Sequence, residues 1–322
     1  RYNSSFTILY FFKNWRNNFT LQSIFVNRFK IIHTVLGECT LDSKNVLQHF
    51  CIPLFSRNKI ILESLGFSTR NLYRRIQRDA YITLCRGIAN YKKKVIEKHF
   101  SLCNSQWTQE VVQKEFPNLN NIRYIYFWPK KTLNDKNEQI SFDNRENNII
   151  MLGRIVKSKN YSLGIKLVEM LRDKGFNFKL IVIGRSNTIY SKELFNLSQK
   201  LDYVDLLFDA SRSKIFDLCR KSKYGLHAFK YEHFGSAAIE MRSCGLLTFV
   251  PDFGGQSEII SSFFRYENIH QVLERIEYLN SHIDEYNNYS KKQIENSDKF
   301  NEKEYINNFI RNINLFESNN EC

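Results

Sequence analysis

The chain has 322 residues, 43% of them hydrophobic and only four of them proline, which excludes a disordered protein and leaves room for two cores. Its formal net charge of +14 implies attraction to something anionic, although the wealth of Lys, Asn, Ile, Tyr and Phe also fits AT-rich coding sequence. No apolar run reaches the length of a membrane span, and Arg1-Tyr2-Asn3 does not open a signal peptide. Seven scattered cysteines without a CxxC pair fit neither a zinc site nor a disulfide framework, so a reducing, cytoplasmic setting is expected.

In the first half, residues 6–12, 30–34 and 100–103 have strand character. Residues 69–98 follow a different pattern. Leu72, Ile76, Ala80, Leu84 and Ile88 recur every four residues as a narrow apolar stripe, with Arg74, Arg75, Arg78, Arg86 and Lys92-Lys93-Lys94 crowded around it. Such a helix is a solvated face, a surface resting on anionic lipid or lipid-linked pyrophosphate, or a nucleic-acid contact. No RNP, zinc-finger or helix-turn-helix pattern occurs, so no specific nucleic acid is expected. A helix over 107–116 should end at Pro117, a strand is expected over 123–127, and the polar run 134–148 reads as a linker or hinge.

From residue 149 onward, short apolar runs alternate with helical patterns. Strands are expected at 149–152, 178–183, 204–208, 224–229 and 246–250. Helices are expected at 162–174, closed by Gly175, and at 191–201, 213–221 and 236–243. Continuous apolar strands between helices indicate parallel βαβ units in a doubly wound sheet, whose ligands bind at the carboxyl ends of the strands. The tail over 276–316 reads as helical.

Glu232 and Glu240 bracket seven residues that pass through Phe234-Gly235 into a short helix beginning at Ser236. With 21 glutamates in the chain, about one such pair is expected by chance, so the spacing needs context. At an earlier strand-to-helix turn, Gly153-Arg154 and Lys159 bring a planar guanidinium and a mobile ammonium to a helix start, which suits a diphosphate. The helix start at Gly235-Ser236 is a second anion site, and Glu240 is placed to accept hydrogen bonds from vicinal hydroxyls. Gly254-Gly255 would let another loop close on the ligand.

Together, Gly153-Arg154 with Lys159, Glu232 and Glu240 around Phe234-Gly235, and the run from Gly245 through Gly254-Gly255 to Glu258 resemble the donor domain of retaining glycosyltransferases of family 4. The likeness is strong over 149–262 and weaker over 101–129. The run Gly225-Leu226-His227 to Glu232-His233-Phe234-Gly235 is similar to the subgroup of dolichol-pathway α-1,2-mannosyltransferases and their archaeal and bacterial relatives.

The resemblance implies an α/β GT-B fold, two Rossmann-like doubly wound domains facing a cleft. Its expected parts are a shortened acceptor-side domain over 1–128, a nucleotide-sugar domain over 129–290, and C-terminal helices over 291–322 packing back toward the first domain. It also implies catalysis without metal or cofactor, with a nucleotide diphosphate sugar as substrate, GDP-mannose being the first choice.

Arg154 and Lys159 match the pair that stabilises the leaving diphosphate, Glu240 the ribose-binding glutamate, and Glu232 the one beside the transferred sugar. Backbone amides around Phe234, Gly235 and Ser236, with Gly153 at its turn, would complete the donor cradle. His33 falls where the family has a histidine near the donor sugar, with Thr34-Val35 departing from that pattern; a structural histidine is the alternative. His227 reads as a structural residue lining the pocket, and His233 as a loop position. Gly184-Arg185-Ser186 and Gln256-Ser257 also depart from the family pattern and bear on donor identity more than on fold.

The implied reaction moves a hexose, with retention, to a glycan or lipid-linked acceptor. The implied location is cytoplasmic and peripheral at the membrane, with the basic segment 69–98 against an anionic surface. A catalytically silent GT-B-like scaffold subunit is the alternative.

Overall fold

A computed structural model describes residues 31–35, 37–64, 72–129, 140–185 and 188–321; the strand expected at 6–12 lies outside them. By their contacts the residues divide into two units, Arg1–Tyr126 with Tyr305–Cys322, and Phe127–Glu304.

The first unit contains a parallel sheet of β1 (Ile32–Val35), β2 (Val46–Phe50), β3 (Phe100–Cys103) and β4 (Ile122–Tyr124), hydrogen-bonded in that order. Between β2 and β3 run α1 (Lys59–Ser64), α2 (Leu72–Ile88) and α3 (Lys93–Ile96). Helix α4 (Gln106–Glu115) follows β3, its first turn capped by the Ser105 hydroxyl accepting from the Thr108 amide. β2 and β3 are buried along their whole length, as a parallel sheet requires. The polar Gln48 tolerates this because its amide donates to the Ile96 carbonyl and Ser101 Oγ and accepts from the Cys39 amide.

The second unit is built on a six-stranded sheet. Its strands are β5 (Glu146–Leu152), β6 (Lys179–Gly184), β7 (Val204–Phe208), β8 (Ser222–Leu226), β9 (Leu247–Pro251) and β10 (Arg265–Tyr266), in the order β10-β9-β8-β5-β6-β7 with every neighbouring pair parallel. The chain moves outward from β5 through β6 to β7, then returns to β8 on the other side of β5. The carboxyl ends of β5 and β8 therefore flank the topological switch point, where a doubly wound sheet opens its crevice.

The connecting helices are α5 (Tyr161–Asp173), α6 (Ile189–Ser198), α7 (Arg212–Lys221), α8 (Ser236–Ser243) and α9 (Gly255–Ile259). Gly175 ends α5 with positive φ, and the Phe176 amide bonds back to the Leu171 carbonyl. Helices α10 (Ile269–Ser281) and α11 (Ile283–Ser297) complete the unit.

Two local readings change. Residues 146–148 are not linker but the start of β5, where Asn148 pairs with Lys179 and Glu146 with Ser222. Their polar side chains misled because the ladder is decided by the partner strands, not by local composition. The boundary expected at residue 290 falls inside α11, a continuous helix that buries Tyr286, Ser290 and Gln293. The last helix, α12 (Glu302–Glu321), packs Phe316 against Leu47, Phe100, Leu102 and Ile125 of the first unit.

The six cysteines among the described residues all carry free thiols. Among those residues no helix is long and apolar enough to cross a membrane.

Candidate functional site

The turn after β5 is held by Tyr161, a residue the sequence reading passed over. This buried side chain opens α5 and donates its hydroxyl to the carbonyls of Gly153 and Arg154, 3.1 Å from each. A hydrophobic residue at a helix start, seven positions beyond an Arg, was its only local signal. The Arg154 side chain is exposed beside this turn. Lys159 closes a short 3-10 turn that ends at Asn160, in the left-handed region.

Lys159 leans over the Phe229 ring, with its Nζ 4.8 Å from the centroid, and forms an ion pair with Glu232 from the loop after β8. The partners are 73 residues apart in sequence and meet because β5 and β8 are neighbours.

His227 is the third member of this cluster. Its amide continues the β8–β9 ladder to the Phe249 carbonyl, and its own carbonyl accepts from the Tyr266 hydroxyl. The ring is 3% exposed and places Nε2 3.1 Å from Glu232 Oε2. Burial favours the neutral imidazole and lowers its pKa, against the opposing pull of Glu232. For Glu232, burial pushes the carboxyl up, but the His227 ring and the Lys159 ammonium outweigh it and hold the group well below the usual carboxylate range. Glu232 is thus a fixed anion, with a side chain 22% exposed and its charge already balanced by a cation.

The backbone of Glu232 is held as firmly as its side chain. Gly254 has φ 82°, and a Cβ there would lie 2.7 Å from the Glu232 carbonyl oxygen and 2.9 Å from that of Lys230. The next amide, that of Gly255, donates to the same Glu232 carbonyl at 2.8 Å. The glycine pair therefore closes on the loop that carries Glu232. Gln256 adds to this brace by donating to the Phe229 carbonyl at 2.7 Å.

Gly235 caps α8 at φ 99° and ψ 44°, packed so closely on Gln256 that a Cβ would lie 2.8 Å from that residue's own Cβ. The side chain of Phe234 turns inward, 4% exposed, between the rings of Phe127 and Phe300. What this segment offers a ligand is backbone: the first amides of α8, beginning at the exposed Ser236, have no partner within the helix. His233, half-buried beside them, has its pKa lowered by burial, with Glu232 opposing and Lys159 and Arg154 adding to the effect.

Glu240 lies on the second turn of α8 and faces Arg212, 3.4 Å away at the start of α7. Burial raises its pKa and Arg212 opposes the rise. Sequence reasoning missed Arg212, since an Arg at a helix start after a Ser cap gives no sign of its distant partner. His33 belongs to the other unit, on β1. Its ring lies 5.3 Å from Phe309 and 6.0 Å from His49, and burial lowers its pKa to about 4. The structure thus brings Lys159, His227 and Glu232 into one cluster, sets Gly153, Arg154, Gly235 and Ser236 at strand ends and a helix start of the same unit, and gives Glu240 a separate partner. Among the described residues no group of three or more His, Cys, Asp or Glu side chains could hold a metal ion.

A family model described as group 1 glycosyl transferases matches residues 134–300, the segment that carries all of this machinery except His33. The chain is similar to the GDP-Man:Man(3)GlcNAc(2)-PP-Dol alpha-1,2-mannosyltransferase of Dictyostelium discoideum, 24% identical over 187 residues. That match covers 52% of this chain and 37% of the relative, so the chain spans little more than a third of that protein.

Among solved structures, sucrose-phosphate synthase from Thermosynechococcus elongatus superposes with a TM-score of 0.67 at 14% identity, over 92% of this chain and 77% of that one. A glycosyltransferase from Rickettsia africae gives 0.63 at 16% identity, over 99% and 83%. These likenesses carry the fold, two Rossmann-like units of the GT-B type. With the family match spanning more than half its length, the chain belongs to the group 1 glycosyl transferases.

Proposed function

We propose that the protein transfers a hexose from a nucleotide diphosphate sugar to a glycan or lipid-linked acceptor, with retention at the anomeric carbon and without a metal. The observation that carries this reading is the meeting of Lys159 and Glu232 at the switch point between β5 and β8. A cation from one strand end and a carboxylate from the next are what a sugar joined to a diphosphate requires there.

As the diphosphate leaves, negative charge builds on its oxygens. Arg154, Lys159 and the open amides at the start of α8 stabilise that charge. An incoming diphosphate competes with Glu232 for Lys159, so donor binding frees the carboxylate toward the sugar. Glu232, held ionised by His227 and Lys159 before the donor enters, then faces the oxocarbenium-like centre. Glu240 accepts from the ribose hydroxyls. The acceptor hydroxyl attacks from the side the diphosphate leaves and passes its proton to a departing phosphate oxygen, which gives retention without a covalent protein intermediate. GDP-mannose is the first donor to test, on the likeness to the mannosyltransferases, and the enzyme works as a peripheral protein on the cytoplasmic side of a membrane.

Thermal-shift measurements with GDP-, UDP- and ADP-sugars identify the donor base, and transfer from that donor is then followed with Arg154→Ala and Glu232→Ala. Both variants should lose transfer by about 100-fold or more while remaining folded. Unchanged transfer would overturn the reading, and donor binding without turnover in the unmodified protein would favour the scaffold alternative. The anomeric configuration of the product, read by NMR, tests retention.

A further inference from the structure

Helix α2 is mounted with its apolar stripe outward. The residues it buries are Arg78, Ile82 and Cys85, which recur on one side of the helix, with Ala89 buried just past its end. On the opposite side Leu72 is 67% exposed, Tyr73 69%, Ile76 60%, Leu84 62% and Ile88 58%. At 3.6 residues per turn, the outward arc holds Leu72, Tyr73, Ile76, Gln77, Ala80, Thr83, Leu84, Gly87 and Ile88, roughly half the circumference, with no charged residue among them. Scattered exposed apolar residues are ordinary; an uncharged face of this length on one helix is a patch.

The charges are at its border. Arg75 is exposed along one edge, and Arg57 donates to the Thr83 hydroxyl on the same edge. Lys92, Lys93 and Lys94 stand exposed just beyond the C-terminal end, with Lys98 a turn further on. Over residues 72–98 there are eight basic side chains against two acidic ones, and one of the acids, Asp79, is paired with Arg78.

We propose that α2 lies in the headgroup region of an anionic phospholipid bilayer, its outward face dipped among the acyl chains and its flanking lysines and arginines on the phosphates. An apolar arc with a cationic border and low net hydrophobicity is the pattern of a helix lying in the plane of the interface, and Tyr73 suits that depth. Nucleic acid fits poorly, because the most exposed surface carries no cation for a phosphate and the cations lie only at its edges. A protein partner gains the apolar area but gives the lysine cluster no general counter-charge. The inference extends the peripheral-membrane part of the proposed function, and vesicle binding reads it without sugar transfer, so failure of either leaves the other standing.

Co-sedimentation of the full chain with vesicles of phosphatidylcholine alone, and of phosphatidylcholine mixed with phosphatidylglycerol, tests it. Binding should appear on the mixed vesicles and weaken with salt. Reversing Lys92, Lys93 and Lys94 to Glu should lower partitioning by about 100-fold or more, on the scale of about 1 kcal/mol per basic residue. Ile76→Glu with Leu84→Glu should lower it at least about 10-fold, while Lys291→Glu in α11 should leave it unchanged. These positions are exposed, so donor-induced thermal shifts should be the same in every variant.

Absence of binding to mixed vesicles overturns the proposal, as does binding that survives both sets of variants. A concentration-dependent dimer in light scattering that Leu84→Glu abolishes, with no vesicle binding, would assign the face to a second copy of the chain instead.

Discussion

Gly254→Ala tests whether the glycine pair positions Glu232. The added Cβ would lie 2.7 Å from the Glu232 carbonyl oxygen, 2.9 Å from that of Lys230 and 3.2 Å from the Glu232 amide nitrogen. All three are backbone atoms, so no side chain can swing aside. The nearest contact is about 0.6–0.9 Å shorter than a relaxed carbon–oxygen approach, and the loop carrying Glu232 has to move by about that distance. With φ 82° and ψ 176° the backbone also lies in a region that is essentially reserved for glycine, which adds about 1–3 kcal/mol for any residue with a Cβ.

Gly175→Ala supplies a positive-φ control without the close backbone contacts. Gly175 has nearly the same φ, 87°, but no atom within 4 Å of a built Cβ. It should lose about 1 kcal/mol in urea unfolding and keep full transfer activity. Gly254→Ala should lose about 2–3 kcal/mol and, because small displacements of a reacting group are costly, about 100-fold in kcat. Unfolding curves and initial rates of nucleoside diphosphate release from the donor found by thermal shift read both quantities. If Gly254→Ala transfers within about threefold of the unmodified protein, Glu232 does not depend on that brace and the positioning argument fails.

Lys159→Met removes both the ammonium proposed for the diphosphate and the partner of Glu232, and should lower kcat/KM by about 100- to 1,000-fold. A loss confined to KM would instead make Lys159 a ground-state binding residue. Arg212→Ala takes away the charge that opposes the rise in the Glu240 pKa, so the carboxyl protonates more readily. Donor KM should rise by about tenfold, most steeply on the acid side, with kcat little changed, and steady-state kinetics across pH checks this.

Glu38 supplies a stability prediction from the first unit. Burial pushes its carboxyl up to about 7 although the Leu54 and Phe55 amides both donate to it. The folded chain therefore holds a proton there that the unfolded chain has released. This contribution is complete below the unfolded value of 4.5 and is lost as pH rises through about 7. It amounts to something on the order of 3 kcal/mol across that window. Thermal unfolding of Glu38→Gln between about pH 5 and pH 8 should show a flatter dependence than the unmodified chain, and an equal slope would refute the assignment.

The alternation of strands and helices from β5 to β9 was legible in the sequence, with most ends placed within a residue or two. Strands buried on both faces must be continuous apolar runs, and the helices between them carry their own start and stop residues, such as Ser211 and Gly175. The first unit was harder to read, because its strands are short and part of it is closed by α12, whose Phe316 comes from the far end of the chain.

At the site, residue types and spacing named Arg154, Lys159, Glu232 and Glu240, but the Glu232–Glu240 spacing alone was close to chance. Tertiary structure decided the pairings. Strand order put Lys159 against Glu232 across 73 residues, His227 joined them from the end of β8, and Arg212 took Glu240. It also turned the glycine pair onto the Glu232 carbonyl and the α2 stripe toward the outside. Periodicity reports which side of an element is apolar, since that is a local property of the chain. What that side meets is set by contacts between segments far apart in sequence, and only the folded chain determines those.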